Sequence, residues 1–353
     1  MRKSLFLVAA VLIVIGGLYG CKSVETTSAM LHNQTQSYDK AIKSAKLGLE
    51  KNPNDAEAYY QLGYSYSKKD SMRLAYENFT KAAELDPNKK KLVEDNIKSN
   101  WAGHYNNGLS EYQLGNLKGA VKEFDKATNA DPRRLKSWLR LVTIAFTLSD
   151  EDSVYLEKSY EATDSLRLRL DKEHEDYTNA LSIIGRIEAD RGNIDRAAES
   201  FEALIDEDPT KVKSIEGTGE DFRAKGEWAK AAKFYEIAVD AYERSGEENY
   251  AVYHNLGLVY RKQKKFHKAI VAYESAHRVK PKDKMAAYSL LLTYYQAKLF
   301  DQAIMFGEEY TQKIAPGDPK GWQILSLAYK EKGFKIKAEE TFRKYLEVQK
   351  NEG

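Results

Sequence analysis

The feature that most constrains this 353-residue sequence is a pattern of apolar, glycine and proline residues that repeats about every 34 residues. The segments 56–89 and 250–283 carry the same residue classes at eight matching positions. These are Tyr59, Leu62, Gly63, Tyr66, Ala75, Phe79, Ala82 and Pro87 in the first segment, and Tyr253, Leu256, Gly257, Tyr260, Ala269, Tyr273, Ala276 and Pro281 in the second. A fixed period of this length predicts an array of structural units, each packed on its neighbours.

The residue classes predict two helices in each unit. Proline cannot continue a helix and biases the residue before it away from helical geometry. All seven prolines fall at the ends of predicted repeats: Pro53, Pro87, Pro132, Pro209, Pro281, Pro316 and Pro319. Glycine and alanine in mid-helix allow two helices to approach closely, where a large side chain would cost about 1–3 kcal/mol. We expect the aromatic residues of the second helices, Phe342 among them, to be buried between repeats.

The eight matching positions resemble the signature of the tetratricopeptide repeat family. The resemblance implies an all-α solenoid, a right-handed superhelix of antiparallel helix pairs. It predicts about eight full repeats in a solenoid over residues 38–353, preceded within it by a half repeat at 38–54. The repeats lie near 56–89, 101–134, 135–177, 178–211, 212–249, 250–283, 284–318 and 319–352. The repeat at 135–177 is degenerate, and the last is expected to end the array with a polar face.

The N-terminus has the layout of a secretory signal. Arg2 and Lys3 precede an apolar run, which ends in Leu18, Tyr19, Gly20 and Cys21. This segment resembles bacterial lipoprotein signals, which implies a signal peptide at 1–20 and acyl chains on the sulfur and new amine of Cys21. Two or three chains anchor a protein stably. The alternative is an uncleaved membrane anchor, although the run is shorter than the roughly 20 residues of a span.

The resemblance also predicts a location. A lysine after the acylated cysteine implies sorting to the outer membrane, facing the periplasm. Residues 21–37 are rich in Ser, Thr and Gln and predict a flexible tether between the lipid and the solenoid.

Composition argues against several classes of function. The sequence has 55 basic and 53 acidic residues, and both basic residues of the signal would be lost on cleavage, so no net charge favours nucleic acid. Cys21 is the only cysteine, and the six histidines lack metal-ligand spacing. No glycine-rich phosphate loop occurs. We therefore expect no metal, no cofactor and no enzymatic activity. An envelope enzyme acting on glycan or peptidoglycan, with Glu216 and Glu220 as its acids, is the alternative.

Binding is what the family resemblance implies. In tetratricopeptide repeats the first helix of each pair lines a concave groove. The corresponding positions are held by Tyr60, Tyr64, Lys68, Tyr105, Leu109, Tyr112, Phe146, Arg186, Arg223, His254, Arg261, Tyr288, Leu292 and Tyr295, with Glu220 and Leu258 also on this face. Aromatic and arginine anchors are enriched in protein interfaces. The alternative is that a sequence with 24 tyrosines uses them as half-buried helix residues.

The sequence therefore predicts a lipid-anchored scaffold of the bacterial cell envelope that binds protein or peptide partners, in envelope biogenesis or secretion. A structural homo-oligomer formed through the terminal repeats is a further alternative. The segment 261–284 carries nine Lys and Arg residues against two acids, which suits either a partner or membrane contact, or a solubilising surface.

Overall fold

The computed structural model describes residues 23–351, and the regular structure of that range is entirely helical. The predicted all-α fold is confirmed. None of the helices in this range is both long and apolar enough to cross a membrane. The predicted signal peptide at 1–20 and the predicted lipidation site, Cys21, lie outside the described residues.

The described residues form two compact units that divide between Asp171 and Lys172. The first unit contains α1 (Val24–Gln34), α2 (Tyr38–Lys51), α3 (Ala56–Lys68), α4 (Met72–Leu85), α5 (Lys90–Gln113), α6 (Leu117–Ala130), α7 (Leu135–Leu148) and α8 (Ser153–Arg169). The second contains α9 (Tyr177–Asp190), α10 (Ile194–Glu207), α11 (Lys213–Ala224), α12 (Trp228–Ser245), α13 (Tyr250–Lys262), α14 (Phe266–Val279), α15 (Lys284–Gln296), α16 (Phe300–Glu309), α17 (Pro319–Glu331) and α18 (Lys335–Asn351). Within each unit, successive helices form hairpins that stack as a solenoid.

In five hairpins, the signature glycine of the first helix lies against an aromatic ring of the second. A Cβ atom on Gly63 would be 2.6 Å from Cδ1 of Phe79, and one on Gly257 would be 2.7 Å from Cδ1 of Tyr273. Any larger side chain would have to displace a buried ring. The same contact joins Gly108 to Phe124, Gly185 to Phe201 and Gly219 to Tyr235. All five rings are buried. The structural role predicted for these residues is confirmed.

The predicted flexible tether is wrong for most of its length. Residues Val24–Gln34 form α1, which packs against α2 and α3, so that the predicted half repeat is the second helix of a full hairpin. Ala29 is the apolar contact of α1, and its other buried side chains are Thr26 and Asn33. Thr26 donates to Asp55 at 2.6 Å, and Asn33 donates to the Gln61 side chain at 2.7 Å. The sequence pattern missed this helix because its buried face is mostly polar and hydrogen-bonded.

The degenerate repeat folds as an ordinary hairpin of α7 and α8. Leu141, Val142 and Ala145 of α7 are buried, as are Ala162 and Leu166 of α8. The hairpin thus buries apolar side chains of both helices although the glycine and alanine signatures are missing. Helix α5 begins at Lys90, so it extends well before the start of the repeat that was predicted near 101–134.

The polar face predicted for the last repeat is wrong. Four large apolar side chains of α18 and of the turn before it are exposed to solvent. Their exposed fractions are 50% for Phe334, 76% for Ile336, 47% for Phe342 and 49% for Leu346. Phe342 was expected to be buried between repeats, as Phe124 is. It is exposed because α18 is the last described helix and none of the described elements packs on this side.

Candidate functional site

Tyr60 and Tyr64 of α3 lie half-buried on the first-helix face of the first unit. The Tyr60 ring packs on Phe79 with centroids 5.6 Å apart. Asn96 of α5 donates a hydrogen bond to the Tyr60 hydroxyl at 3.4 Å, which links α3 to α5 at this point. Burial raises the pKa of Tyr60, an effect that the bond from Asn96 opposes. The ring is thus held by protein contacts while part of it remains exposed.

Tyr105 of α5 belongs to a second aromatic group on the same face. It stacks on Trp101 with centroids 5.0 Å apart and contacts Phe124 edge-on at 5.5 Å. The Trp101 indole donates to Ser137 at 2.6 Å, and the Arg134 guanidinium lies 4.3 Å from its ring centroid. Sequence reasoning placed Tyr105 on this face but missed Trp101. Its spacing of four residues from Tyr105 could have indicated it, because such residues share a helix face.

The side chains of α1 add a wall that the sequence did not predict. A cleft of about 180 Å³ lies between α1 and α3. It is lined by Met30, Asn33, Gln34, Tyr60, Gln61 and Tyr64. We call Tyr60, Tyr64, Trp101 and Tyr105, together with this cleft, the tyrosine face.

The other predicted residues of the first unit lie at the margins of the tyrosine face. The Lys68 ammonium is 5.3 Å from the Tyr64 ring centroid. Leu109 is half-buried, and Tyr112, at the end of α5, is 48% exposed. Phe146 of α7 is half-buried among the apolar residues of the degenerate repeat. These residues are available to a ligand, but none forms a ring contact like those of Tyr60 and Tyr105.

The first-helix face of the second unit is polar. Glu220 of α11 accepts hydrogen bonds from the Arg223 Nε atom at 2.8 Å and from the Tyr235 hydroxyl at 2.8 Å. The bond from Arg223 lowers the pKa of Glu220, although burial opposes it. Glu216 forms hydrogen bonds with Lys213, Tyr242 and Asn249. A general acid needs a raised pKa, and Glu220 has the opposite shift. The geometry therefore does not favour the glycan-cleaving alternative.

His254 and Arg261 of α13 face the same side as Arg223. His254 stacks on Tyr250 with centroids 5.8 Å apart, and its Nε2 atom lies 3.4 Å from Ser289 Oγ. Burial lowers the pKa of His254, and the nearby Arg261 and Arg223 lower it further, against the opposing effect of Asp283. These surroundings therefore favour the neutral form of His254. Arg186, on α9, is exposed.

Tyr288, Leu292 and Tyr295 of α15 have a stronger structural role than the sequence predicted. All three pack against a core cluster that includes Leu291 and Tyr310. Tyr288 lies 6.3 Å from Tyr310 between ring centroids, and Tyr295 lies 5.8 Å from Phe300. Each still keeps some exposed surface.

The basic segment 261–284 is partly neutralised by acids on neighbouring helices. Arg278 pairs with Glu248, and Lys268 lies 3.7 Å from Glu236. Lys280 covers the Tyr250 ring at 4.6 Å from its centroid. Among residues 23–351, no cluster of His, Cys, Asp and Glu has an arrangement that could hold a metal ion.

Sequence models of the tetratricopeptide repeat match residues 56–89, 184–246, 216–282 and 254–319. Superkiller protein 3 of Schizosaccharomyces pombe is 25% identical over 223 residues, which cover 60% of this chain and 15% of that protein. The CTR9 homolog of Arabidopsis thaliana is 24% identical over 224 residues, covering 62% of this chain and 19% of that protein. The chain thus spans less than a fifth of the length of these curated relatives.

Solved structures with a similar repeat architecture include MamA, at 25% identity and a TM-score of 0.38, covering 48% of this chain and 96% of MamA. A fragment of a repeat protein from Cytophaga hutchinsonii has 16% identity and a TM-score of 0.43, covering 69% of this chain and 95% of the fragment. YrrB, described as having an unusual peptide-binding site, has 20% identity and a TM-score of 0.38, covering 65% of this chain and 94% of YrrB. All three TM-scores are below 0.5.

Proposed function

This chain is a tetratricopeptide repeat protein, and we propose that it is a lipid-anchored scaffold of the bacterial cell envelope that binds segments of partner proteins. The observation that carries the binding proposal is the tyrosine face. Tyr60, Tyr64 and Tyr105 pack on the buried core around Phe79 and Phe124, and each keeps exposed surface that a ligand can contact.

The tyrosine face has the properties of a protein-binding surface. The Tyr60 ring is held by Phe79 and Asn96, and the Tyr105 ring is held by Trp101, so these two rings lose little side-chain entropy when a ligand covers them. Tyrosine, tryptophan and arginine are the residue types that carry most binding energy in interfaces. The cleft beside α1 adds a recess that one side chain of a peptide can enter.

The proposed anchor immediately precedes α1, the helix that lines part of this face. Cys21 precedes Ser23, the N-cap of α1, by two residues. Two residues span at most about 7 Å. Acyl chains on Cys21 would therefore hold the N-terminal end of α1 at the bilayer surface instead of on a long tether. The cleft is lined by the other end of α1, roughly 10–17 Å further along the helix. The lysine at position 22 supports an outer-membrane location.

A comparison of two variants tests the binding proposal. The full chain, solubilised in detergent with its native lipid, captures partners from the membranes of its own organism. Replacement of Tyr60, Tyr64 and Tyr105 by alanine should abolish the capture of specific partners. The control replaces Tyr76 and Tyr155, half-buried tyrosines of the second helices α4 and α8, and should retain them. Circular dichroism verifies that both variants fold. Identical partner sets from a folded triple variant and the parent would refute the tyrosine face as the binding surface.

Mass spectrometry of the N-terminal peptide tests the anchor separately. The proposal predicts a peptide that begins at an acylated Cys21, and a Cys21→Ser variant that remains unprocessed. An unmodified Met1 terminus on the parent protein would contradict it.

Exposed apolar residues of α18 favour homo-oligomerisation as a second candidate function. In an antiparallel pair of two α18 helices, Ile336 would face Leu346 of the second copy, while Glu339 would face Arg343. A self-complementary surface of this kind is what a two-fold interface needs. Light scattering should then give a dimer mass that Ile336→Glu reduces to a monomer. A monomer mass for the parent chain at every concentration would exclude this function.

A further inference from the structure

Two neighbouring hairpins of the second unit place an arginine and a tyrosine in the same way. The hairpins α11–α12 and α13–α14 correspond with an offset of 38 residues, which relates Gly219 to Gly257 and Tyr235 to Tyr273. In both, the glycine lies against the tyrosine ring, so the correspondence holds in space. The same offset relates Arg223 to Arg261.

In the first of these hairpins, a carboxylate joins the arginine and the tyrosine. Glu220 Oε2 accepts from Arg223 Nε at 2.8 Å and from the Tyr235 hydroxyl at 2.8 Å, and Glu220 Oε1 accepts from a terminal nitrogen of Arg223. Such two-point bonds between guanidinium and carboxylate are among the strongest hydrogen bonds in proteins. The Glu220 carboxylate, the Arg223 guanidinium and the Tyr235 hydroxyl therefore all have hydrogen-bond partners within this triad.

In the second hairpin the carboxylate is missing. The position of Glu220 is held by Leu258, and the position of Glu216 is held by His254. The Arg261 Nε atom and the Tyr273 hydroxyl are both buried, and neither has a hydrogen-bond partner. Leaving such groups unpaired destabilises the fold, and the effect is larger for a charged group than for a neutral one. Tyr273 is completely buried, whereas Arg261 is half-exposed on the first-helix face.

The surroundings leave Arg261 as an uncompensated cation. Burial raises the pKa of Tyr273, and the adjacent Arg261 and Ser289 partly offset this increase, so the three side chains lie close together, although neither neighbour forms a hydrogen bond with the Tyr273 hydroxyl. The nearby Asp283 is engaged by the Tyr250 hydroxyl at 2.5 Å and by the Ala286 amide at 2.9 Å. Arg223 is neutralised by Glu220.

We infer that Arg261 and Tyr273 form a carboxylate-binding subsite, which takes an acidic side chain or the C-terminal carboxylate of a peptide that lies along α13. The incoming carboxylate takes the place that Glu220 fills in the preceding hairpin. This inference rests on the proposed function, because the peptide is a segment of a bound partner. It adds a charge requirement to that function: the segment that crosses the second unit carries a carboxylate.

Acetate is the probe for this subsite. The full chain in detergent is labelled with ¹⁵N at the arginine Nε atoms, and its side-chain spectrum is recorded in acetate and in chloride at equal ionic strength. The Arg261 signal is identified by its loss in Arg261→Lys. We expect this signal to shift with acetate and to saturate, and to be unaffected by chloride.

Two variants examine the chemistry of the subsite. Leu258→Glu supplies the carboxylate from within the chain, so the Arg261 signal should lie at its acetate-bound position and should not respond to acetate. Tyr273→Phe removes a hydroxyl that has no partner, so it should fold normally but bind acetate about tenfold more weakly. This second variant keeps the test valid if Leu258→Glu does not fold.

Two further probes distinguish the sources of the carboxylate. N-acetylglycine presents a terminal carboxylate, and N-acetylglutamic acid α-amide presents a side-chain carboxylate. Binding of either supports the inference, and the tighter ligand identifies the source. An Arg261 signal that is the same in acetate and chloride, with no response to either peptide probe, would overturn it. That outcome differs from failure of the proposed function, which would appear as identical partner sets captured by the parent chain and by the variant that lacks Tyr60, Tyr64 and Tyr105.

Discussion

Replacement of Asn33 by alanine should release α1 from the first unit. Asn33 is 6% exposed and joins α1 to α3 through three hydrogen bonds. Its side-chain nitrogen donates to the Gln61 side-chain oxygen at 2.7 Å and to the Gln61 carbonyl at 3.1 Å, and its oxygen accepts from Ser65 at 2.7 Å. Because Ala29 is the only apolar residue of α1 that is fully buried, the polar contacts are a large share of what holds this helix.

The expected loss follows from the partners that remain. Ser65 also donates to the Gln61 carbonyl at 2.8 Å, so it stays satisfied. The Gln61 side-chain oxygen is left buried without a donor, which costs about 1–3 kcal/mol. The lost bonds of Asn33 itself add to this, so we expect the free energy of unfolding of the α1–α2 hairpin to fall by about 2–3 kcal/mol.

Hydrogen exchange of the α1 and α2 amides, together with urea unfolding, measures this change. Gln34→Ala is the control, because Gln34 is the exposed neighbour on the same helix and should change stability by less than about 0.5 kcal/mol. Equal protection of the α1 amides in Asn33→Ala and in Gln34→Ala would refute the polar docking of α1.

Three further predictions follow from the packing and the charges. Gly63→Ala places a Cβ atom 2.6 Å from Phe79 and should lower the free energy of unfolding by about 1–3 kcal/mol. By contrast, a Cβ atom at position 103 would have no neighbour within 4 Å, so Gly103→Ala should raise the free energy of unfolding by about 0.5–1 kcal/mol. Urea unfolding measures both changes. Because Arg223 lowers the pKa of Glu220 below 4.5, their pair stabilises the fold above that pH and loses this contribution as the pH falls through the lower folded value. Glu220→Gln should therefore weaken the acid dependence of the urea midpoint, by a small amount because the pair is partly exposed to solvent; an unchanged dependence would contradict the pairing.

The hairpins could be predicted from sequence because their contacts restrict residue type. Only glycine fits where Gly63 meets Phe79 and where Gly257 meets Tyr273, so these positions recur with a fixed period. A pattern of small and aromatic residues is then enough to identify both the helices and their order.

The first helix could not be predicted in this way. Thr26 and Asn33 are residues typical of loops, and their burial depends on partners at Asp55, Gln61 and Ser65 that lie about 30 residues away. Nothing local to residues 24–34 indicates those partners. A periodic pattern of apolar residues identifies helices with an apolar buried face, so it does not identify a helix whose buried face is polar.

The candidate site was predictable only in part. Tyr60 and Tyr105 could be placed on the first-helix face by their repeat positions, but the stacking of Trp101 depends on three-dimensional contacts. The replacement of Glu220 by Leu258 at matching positions is visible in the sequence. Its consequence, two buried groups without partners at Arg261 and Tyr273, required the structure.

Photo-crosslinking in the native membrane tests the tyrosine face most directly. A benzophenone amino acid replaces Tyr64 on the first helix α3 in one strain and Tyr155 on the second helix α8 in another. If the tyrosine face binds partners, light should join the chain to a defined protein from position 64 and not from position 155. Crosslinks to the same protein from both positions, or from position 155 alone, would contradict binding through the first helices.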